Sequence, residues 1–146
     1  MFSDYEMIIR LVLAVALGGL VGIEREIYHK PAGFRTHILV CLGACLFTML
    51  SLFFCYSSGM ERTDPARIAA GIVMGVGFLG AGAILHKEGD VKGLTTAASI
   101  WVVAAIGMAI GCGFYKGGLF TAVLAVIVLF VFNKVEKFYI DKTRKE

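Results

Sequence analysis

The sequence predicts an all-α, polytopic membrane protein: a bundle of five transmembrane helices with the N-terminus outside and the C-terminus cytoplasmic. Composition is the first observation behind this. Hydrophobic residues make up 58% of the 146 and charged residues 17%, against roughly 45–50% and about 25% in soluble domains. Mean hydropathy is +0.81, and so few polar residues could not coat a soluble domain of this length. Second, the chain divides into five apolar runs near the ~20 residues that a helix needs to cross the hydrocarbon core. Third, the run from Arg67 to Leu85, RIAAGIVMGVGFLGAGAIL, holds five glycines. Each glycine costs a helix in water about 1 kcal/mol relative to alanine, whereas in a membrane bundle it lets a neighbouring helix come close.

The first run spans about 7–23. It must accommodate Arg10, near enough to its end to snorkel to the interface. Acidic Asp4 and Glu6 precede it and Glu24-Arg25-Glu26 follows with no small-residue cleavage site, so it reads as a retained span and not as a signal peptide. The second run spans about 38–56 and contains Cys41, Cys45 and Cys55, with Cys112 in the fourth. Cysteines in apolar spans serve as small packing residues. Cys41 and Cys45 lie one turn apart and can share a soft metal, but no His or further Cys joins them at ligand spacing, so no cofactor is expected and a metal is left undetermined.

The third run, about 68–85, opens with Asp64-Pro65, Asp suiting the N-cap and Pro the first helical position. At about 100° per residue, Gly71, Gly75 and Gly82 share one stripe, and Ala70, Gly77 and Ala81 form another roughly 120° away. Two small faces predict two close neighbours and a central place in the bundle, with Gly80 also counted among the packing glycines. Gly18 and Gly22 in the first run and Gly107 and Gly111 in the fourth repeat the GxxxG spacing. The surplus of small faces over partners within one chain makes a homodimer an expectation.

The fourth run, about 94–114, carries no charge. The fifth, about 118–132, is short, and either the Lys134 and Lys137 stems extend it or the bilayer thins around it. Val135, Phe138 and Tyr139 interrupt the charged tail in a way that can carry the fifth helix onto the membrane surface. Connections are short, so residues 1–146 are expected to form one transmembrane domain. With five spans, the C-terminus shares a side with the 23–38 and 85–94 connections, which places ten of the 14 Lys and Arg residues there. The positive-inside rule makes that side cytoplasmic. The net charge is +3, and its cations sit at the ends of apolar runs, which fits contact with the lipid bilayer and not with nucleic acid.

Two segments on that side carry most of the chemistry. One runs from Gly22-Ile23-Glu24-Arg25-Glu26 to Arg35-Thr36-His37, the other from Glu88-Gly89-Asp90 to Thr95-Thr96. Glu24, Arg25, Arg35, Thr36, His37, Asp90, Thr95 and Thr96 form a candidate functional polar cluster. The plainer alternative is that the charges are interfacial anchors, His37 a satisfied interfacial histidine, and the threonines helix caps. Economy favours function, since polar residues are few and gather at one depth.

Gly19-Leu20-Val21-Gly22-Ile23-Glu24-Arg25, Ala32-Gly33-Phe34-Arg35-Thr36-His37, Arg67-Ile68-Ala69-Ala70-Gly71 through Gly82, and Lys92-Gly93-Leu94-Thr95-Thr96-Ala97-Ala98-Ser99-Ile100-Trp101 resemble the MgtC/SapB family of membrane proteins over nearly the whole chain. The resemblance implies a multi-pass protein of the bacterial inner membrane linked to growth at low magnesium, acid stress and survival in macrophages. The best-known members restrain the ATP synthase. Set against them, this chain is expected to be a short form without their cytoplasmic C-terminal domain, its sequence stopping after the fifth span, and it carries Thr95 where they have Asn. Both departures weaken the expectation of ATP-synthase contact and of virulence, and leave the membrane core intact.

Three functions are weighed. A regulatory protein acting by helix contact on a membrane partner is the leading expectation. The alternative is a transporter or channel for magnesium or protons, for which Glu24, Asp90, Thr95 and Thr96 offer the oxygen ligands magnesium prefers, though no acidic residue lies mid-membrane to make a relay. An enzyme is not expected: His29, His37 and His86 lie at boundaries, and the sequence shows no nucleophile arranged with them, so no catalytic residue is assigned.

Overall fold

A computed structural model describes residues 3–57, 64–87 and 90–143. Five helices run in order: α1 (Asp4–Ile27), α2 (Phe34–Ser57), α3 (Ala66–Gly82), α4 (Leu94–Gly111) and α5 (Tyr115–Thr143). The all-α class holds, and α1, α2, α4 and the Tyr115–Phe132 part of α5 are long and apolar enough to cross a membrane. Between α3 and α4 lies a feature absent from the sequence reading, an antiparallel ribbon of β1 (Leu85–Lys87) and β2 (Asp90–Lys92) with His86 opposite Val91.

Local chemistry sets the helix ends. The Ser3 hydroxyl accepts the Glu6 N–H at 3.2 Å, and Asp4 and Glu6 place negative charge on the first turn of α1, where the helix dipole favours it. At the other end His29 takes a left-handed conformation (φ 50°). There its N–H reaches the Glu26 carbonyl at 3.0 Å and the Lys30 N–H reaches the Arg25 carbonyl at 2.9 Å, a Schellman closure, and Pro31 then stops the chain from continuing as helix. Glu26 turns back to accept the Phe34 N–H at 3.0 Å, so a carboxylate of α1 caps α2. The start of α3 falls one residue later than expected: Pro65 occupies the N-cap, and Asp64 still caps by accepting the Ala66 N–H at 2.9 Å. α5 runs on past its apolar stretch as the tail sequence suggested, reaching 29 residues, about 44 Å at 1.5 Å per residue.

The centre of the bundle is α2 with α4, and the two GxxxG motifs put it there. Side chains added at Gly18 and Gly22 would stand 2.7 Å from Cys41 Cβ and 2.8 Å from Phe34 Cα. From the other side, Gly107 abuts the Cys41 carbonyl and Gly111 approaches the Cys45 carbonyl and Thr48. Helix α2 is thus held between α1 and α4 at glycine distance, with Cys41 and Cys45 fully buried as packing residues. Leu17, Val21, Val103, Ile106 and Ile110 fill the space around them.

The central place expected of α3 is overturned. That helix buries Ile72, Val76 and Gly80, a stripe four residues apart, and Gly80 meets Ala97 of α4 at 3.6 Å. Gly71, Gly75, Gly77 and Gly82 have nothing within 4 Å of where a side chain would begin. The physical reason is that α3 gains more by setting its aliphatic stripe against α4 than by packing its small residues. Both small faces are left at the periphery of the single chain. The helix also ends at Gly82 and not near Leu85, because the Ala83 and Ile84 N–H groups bond three residues back and the chain enters β1.

Arg10 departs from its expected role as well. It does not snorkel: it is 5% exposed, donates through Nη1 to the Gly111 carbonyl at 2.6 Å, pairs with Glu6, and lies 5.5 Å from the Tyr115 ring centroid. It ties α1 to the α4–α5 turn, where Gly113 (φ 86°) reverses the chain.

Candidate functional site

At the opposite end of the bundle from Arg10, helices α1, α2 and α4 bring five polar side chains into the interior. Glu24 and His37 are completely buried, and Arg25, Thr96 and Ser99 nearly so. Arg25 donates through Nε to the Glu24 carboxylate beside it. His37 sits over Gly22, whose missing side chain leaves it room.

The hydrogen bonds of His37 form a chain. Nδ1 donates to the Gly33 carbonyl at 2.8 Å, Nε2 lies 3.0 Å from Ser99 Oγ, and Ser99 Oγ donates to the Thr96 carbonyl at 2.8 Å. Carbonyls only accept, so three links require three protons, while a neutral imidazole and a hydroxyl supply two. With neutral His37 the Ser99 hydroxyl serves either Thr96 or Nε2. An imidazolium fills every link.

Of the predicted cluster, Glu24, Arg25, His37 and Thr96 are brought together. Arg35 and Thr36 are exposed and turned away, Arg35 beside Ile23 and Ile27 and Thr36 toward Phe78 and Gly82 of α3. Thr95 is exposed at the rim of a cavity next to the cluster. Asp90 belongs to β2, its side chain lying outside what the structure describes, as do Glu88 and Gly89. Sequence reasoning missed Ser99 as a site residue. Its signal was a lone hydroxyl three residues after Thr96 inside a span without charges. The Ser99–His37 contact is also a serine–histidine pairing that the sequence did not show, though the hydroxyl is engaged with the Thr96 backbone. Among the described residues no group of three or more His, Cys, Asp and Glu side chains could hold a metal.

A helical, multi-pass membrane protein with a buried charged and hydroxyl-bearing cluster at one end of its bundle is the class these features define. The chain belongs to the MgtC family, whose profile matches residues 11–138. It is 47% identical over 133 residues to YhiD of Escherichia coli (strain K12), whose name carries a provisional assignment as a magnesium transporter. That match covers 89% of this chain and 62% of YhiD. It is 39% identical to Protein SapB of Bacillus subtilis (87% of this chain, 56% of SapB) and 41% identical to Protein MgtC of Salmonella typhimurium (82% and 49%). The chain therefore spans about half to two thirds of the length of these relatives. No solved structure matches it.

Proposed function

We propose that this chain is a regulatory protein of the bacterial inner membrane, acting by helix contact on a membrane partner during adaptation to low magnesium or acid stress. Its N-terminus lies outside and its C-terminus in the cytoplasm. The observation that carries the reading is the unfilled small-residue surface of α3. Gly71 and Gly75, with Gly43, Leu39, Phe47 and Leu79, line an apolar groove of about 700 Å³ between α2 and α3. Small residues at such a surface admit a partner helix to backbone distance, and the occupant we assign is a transmembrane helix of the partner. Packing of the bundle's middle by Val21, Cys41, Cys45, Val103, Ile106 and Ile110 favours this over transport, which needs a polar path through that depth. The link to magnesium rests on the family and on the name of the E. coli relative.

The test is co-purification from the native membrane with wild-type protein and Gly75→Leu. The variant fills the groove where the single chain has open space, so it should keep its thermal stability and lose the partner. A partner retained at the wild-type level would overturn the reading. Transport of magnesium or protons is the second reading, supported by the same relative's name, and protein-dependent flux of either ion into liposomes would favour it.

A further inference from the structure

A cavity of about 730 Å³ opens beside the buried cluster, between the end of α1, the start of α4 and the outer face of α5. Its walls are of two kinds. Arg25, Lys30 and Lys92 bring positive charge, with no carboxylate among the described lining residues, and Leu94, Val128 and Phe132 bring apolar surface. Helix α4 begins at this cavity with Gly93 at its N-cap, in a left-handed conformation (φ 93°) and with no side chain capping the first turn. Only glycine fits there, since a side chain would collide with the Ala83 carbonyl. The first N–H groups of an 18-residue helix thus start at the cavity with the positive end of its dipole.

Two nearly buried side chains also address the cavity. Thr96 is 2% exposed and lines it, and its hydroxyl makes no hydrogen bond among the described residues, the Ser99 link using its backbone carbonyl instead. Arg25, also 2% exposed, lines it too; its Nε is committed to Glu24, and its terminal amino groups make no hydrogen bond among the described residues. A fork of N–H donors, a hydroxyl and a helix N-terminus around one space match a tetrahedral oxyanion.

We propose that this cavity binds a phosphate group. Arg25, Thr96 and the first turn of α4 hold its oxygens, and Lys30 and Lys92 attract it from the rim. The wall of Leu94, Val128 and Phe132, each more than half exposed along the outer face of the bundle, suits the acyl-chain side of an acidic phospholipid. A free phosphate would use the polar half alone. The site does not depend on the partner reading, because the α2–α3 groove shares no residue with it.

The experiment measures binding of phosphatidylglycerol, phosphatidylcholine and inorganic phosphate to the purified full chain in neutral detergent, by native mass spectrometry for the lipids and by thermal shift for phosphate. Phosphatidylglycerol should bind in preference to phosphatidylcholine. Thr96→Val and the double variant Lys30→Gln with Lys92→Gln should each weaken it by roughly tenfold, the loss expected for one charge-assisted contact, and Arg35→Gln, an exposed cation elsewhere, should leave it unchanged. These variants spare the Glu24–Arg25 pair, and unaltered melting in the absence of ligand checks that they fold. A response to inorganic phosphate, lost in the same variants, with no lipid preference would assign the site to free phosphate and uphold its chemistry. Equal binding of both lipids together with no phosphate response, or wild-type binding by both site variants, would overturn the proposal.

Discussion

A single methyl group should have opposite effects at Gly107 and Gly71. At Gly107 an added Cβ would overlap the Cys41 carbonyl oxygen and stand 3.0 Å from Ala44 Cβ. Helix α2 cannot retreat, because on its far side Gly18 already leaves no room for a Cβ against Cys41. Overpacking costs about 1–3 kcal/mol, and overlap with a backbone oxygen that cannot swing aside puts Gly107→Ala in the upper half, about 2–3 kcal/mol; the better helix propensity of alanine returns about 1 kcal/mol, which leaves a loss on the order of 1–2 kcal/mol. At Gly71 the same Cβ meets nothing within 4 Å, so only the propensity gain remains and Gly71→Ala should be neutral or slightly stabilising. The assay is thermal unfolding of purified protein in mild detergent, where Gly107→Ala should melt a few degrees below wild type and Gly71→Ala at or above it. Equal stability of Gly107→Ala and wild type would refute the clamp on α2. A loss at Gly71 as large as at Gly107 would refute the peripheral placing of α3.

Two further outcomes follow from the buried cluster. Glu24→Gln leaves Arg25 buried without its counter-ion and should cost about 3–5 kcal/mol, while replacing both residues by Met should recover most of that loss; denaturant titration of the two proteins decides, and an equally unstable double variant would show that the ion pair is not the source of the cost. His37→Ala should cost about 2–4 kcal/mol and Ser99→Ala about 1–2 kcal/mol. Because they share the 3.0 Å link, their double variant should lose less than the sum, and strict additivity would argue against the hydrogen-bonded chain.

Much of the bundle was legible because membrane solvation leaves few choices: an apolar run of sufficient length must satisfy its backbone internally and becomes a helix. The GxxxG pairs at Gly18–Gly22 and Gly107–Gly111 were also legible, since the spacing encodes the approach itself. The cluster was half legible. Glu24, Arg25, His37 and Thr96 were expected together, but Arg35 and Thr36 were grouped with them by closeness in sequence. On a helix they stand roughly 200° and 100° around from His37, and only the histidine falls where α1, α2 and α4 bury it. Ser99 was overlooked because its partner lies 62 positions away. Arg10 was read from its distance to the end of a run, whereas the Gly111 carbonyl that holds it comes from another helix.

The sequence by itself determined the class of fold, the family and which residues are small enough or polar enough to matter, because those follow from the cost of exposing polar groups to lipid and from the size of each side chain. Which of several small faces is used was a tertiary decision. α3 offers glycine on two faces and packs by a third, since burial of Ile72 and Val76 against α4 outweighs what the glycine faces gain within one chain. Hydrogen-bond partners remote in sequence, and the cavity that Arg25, Thr96 and the start of α4 share, likewise exist only once the helices are set side by side.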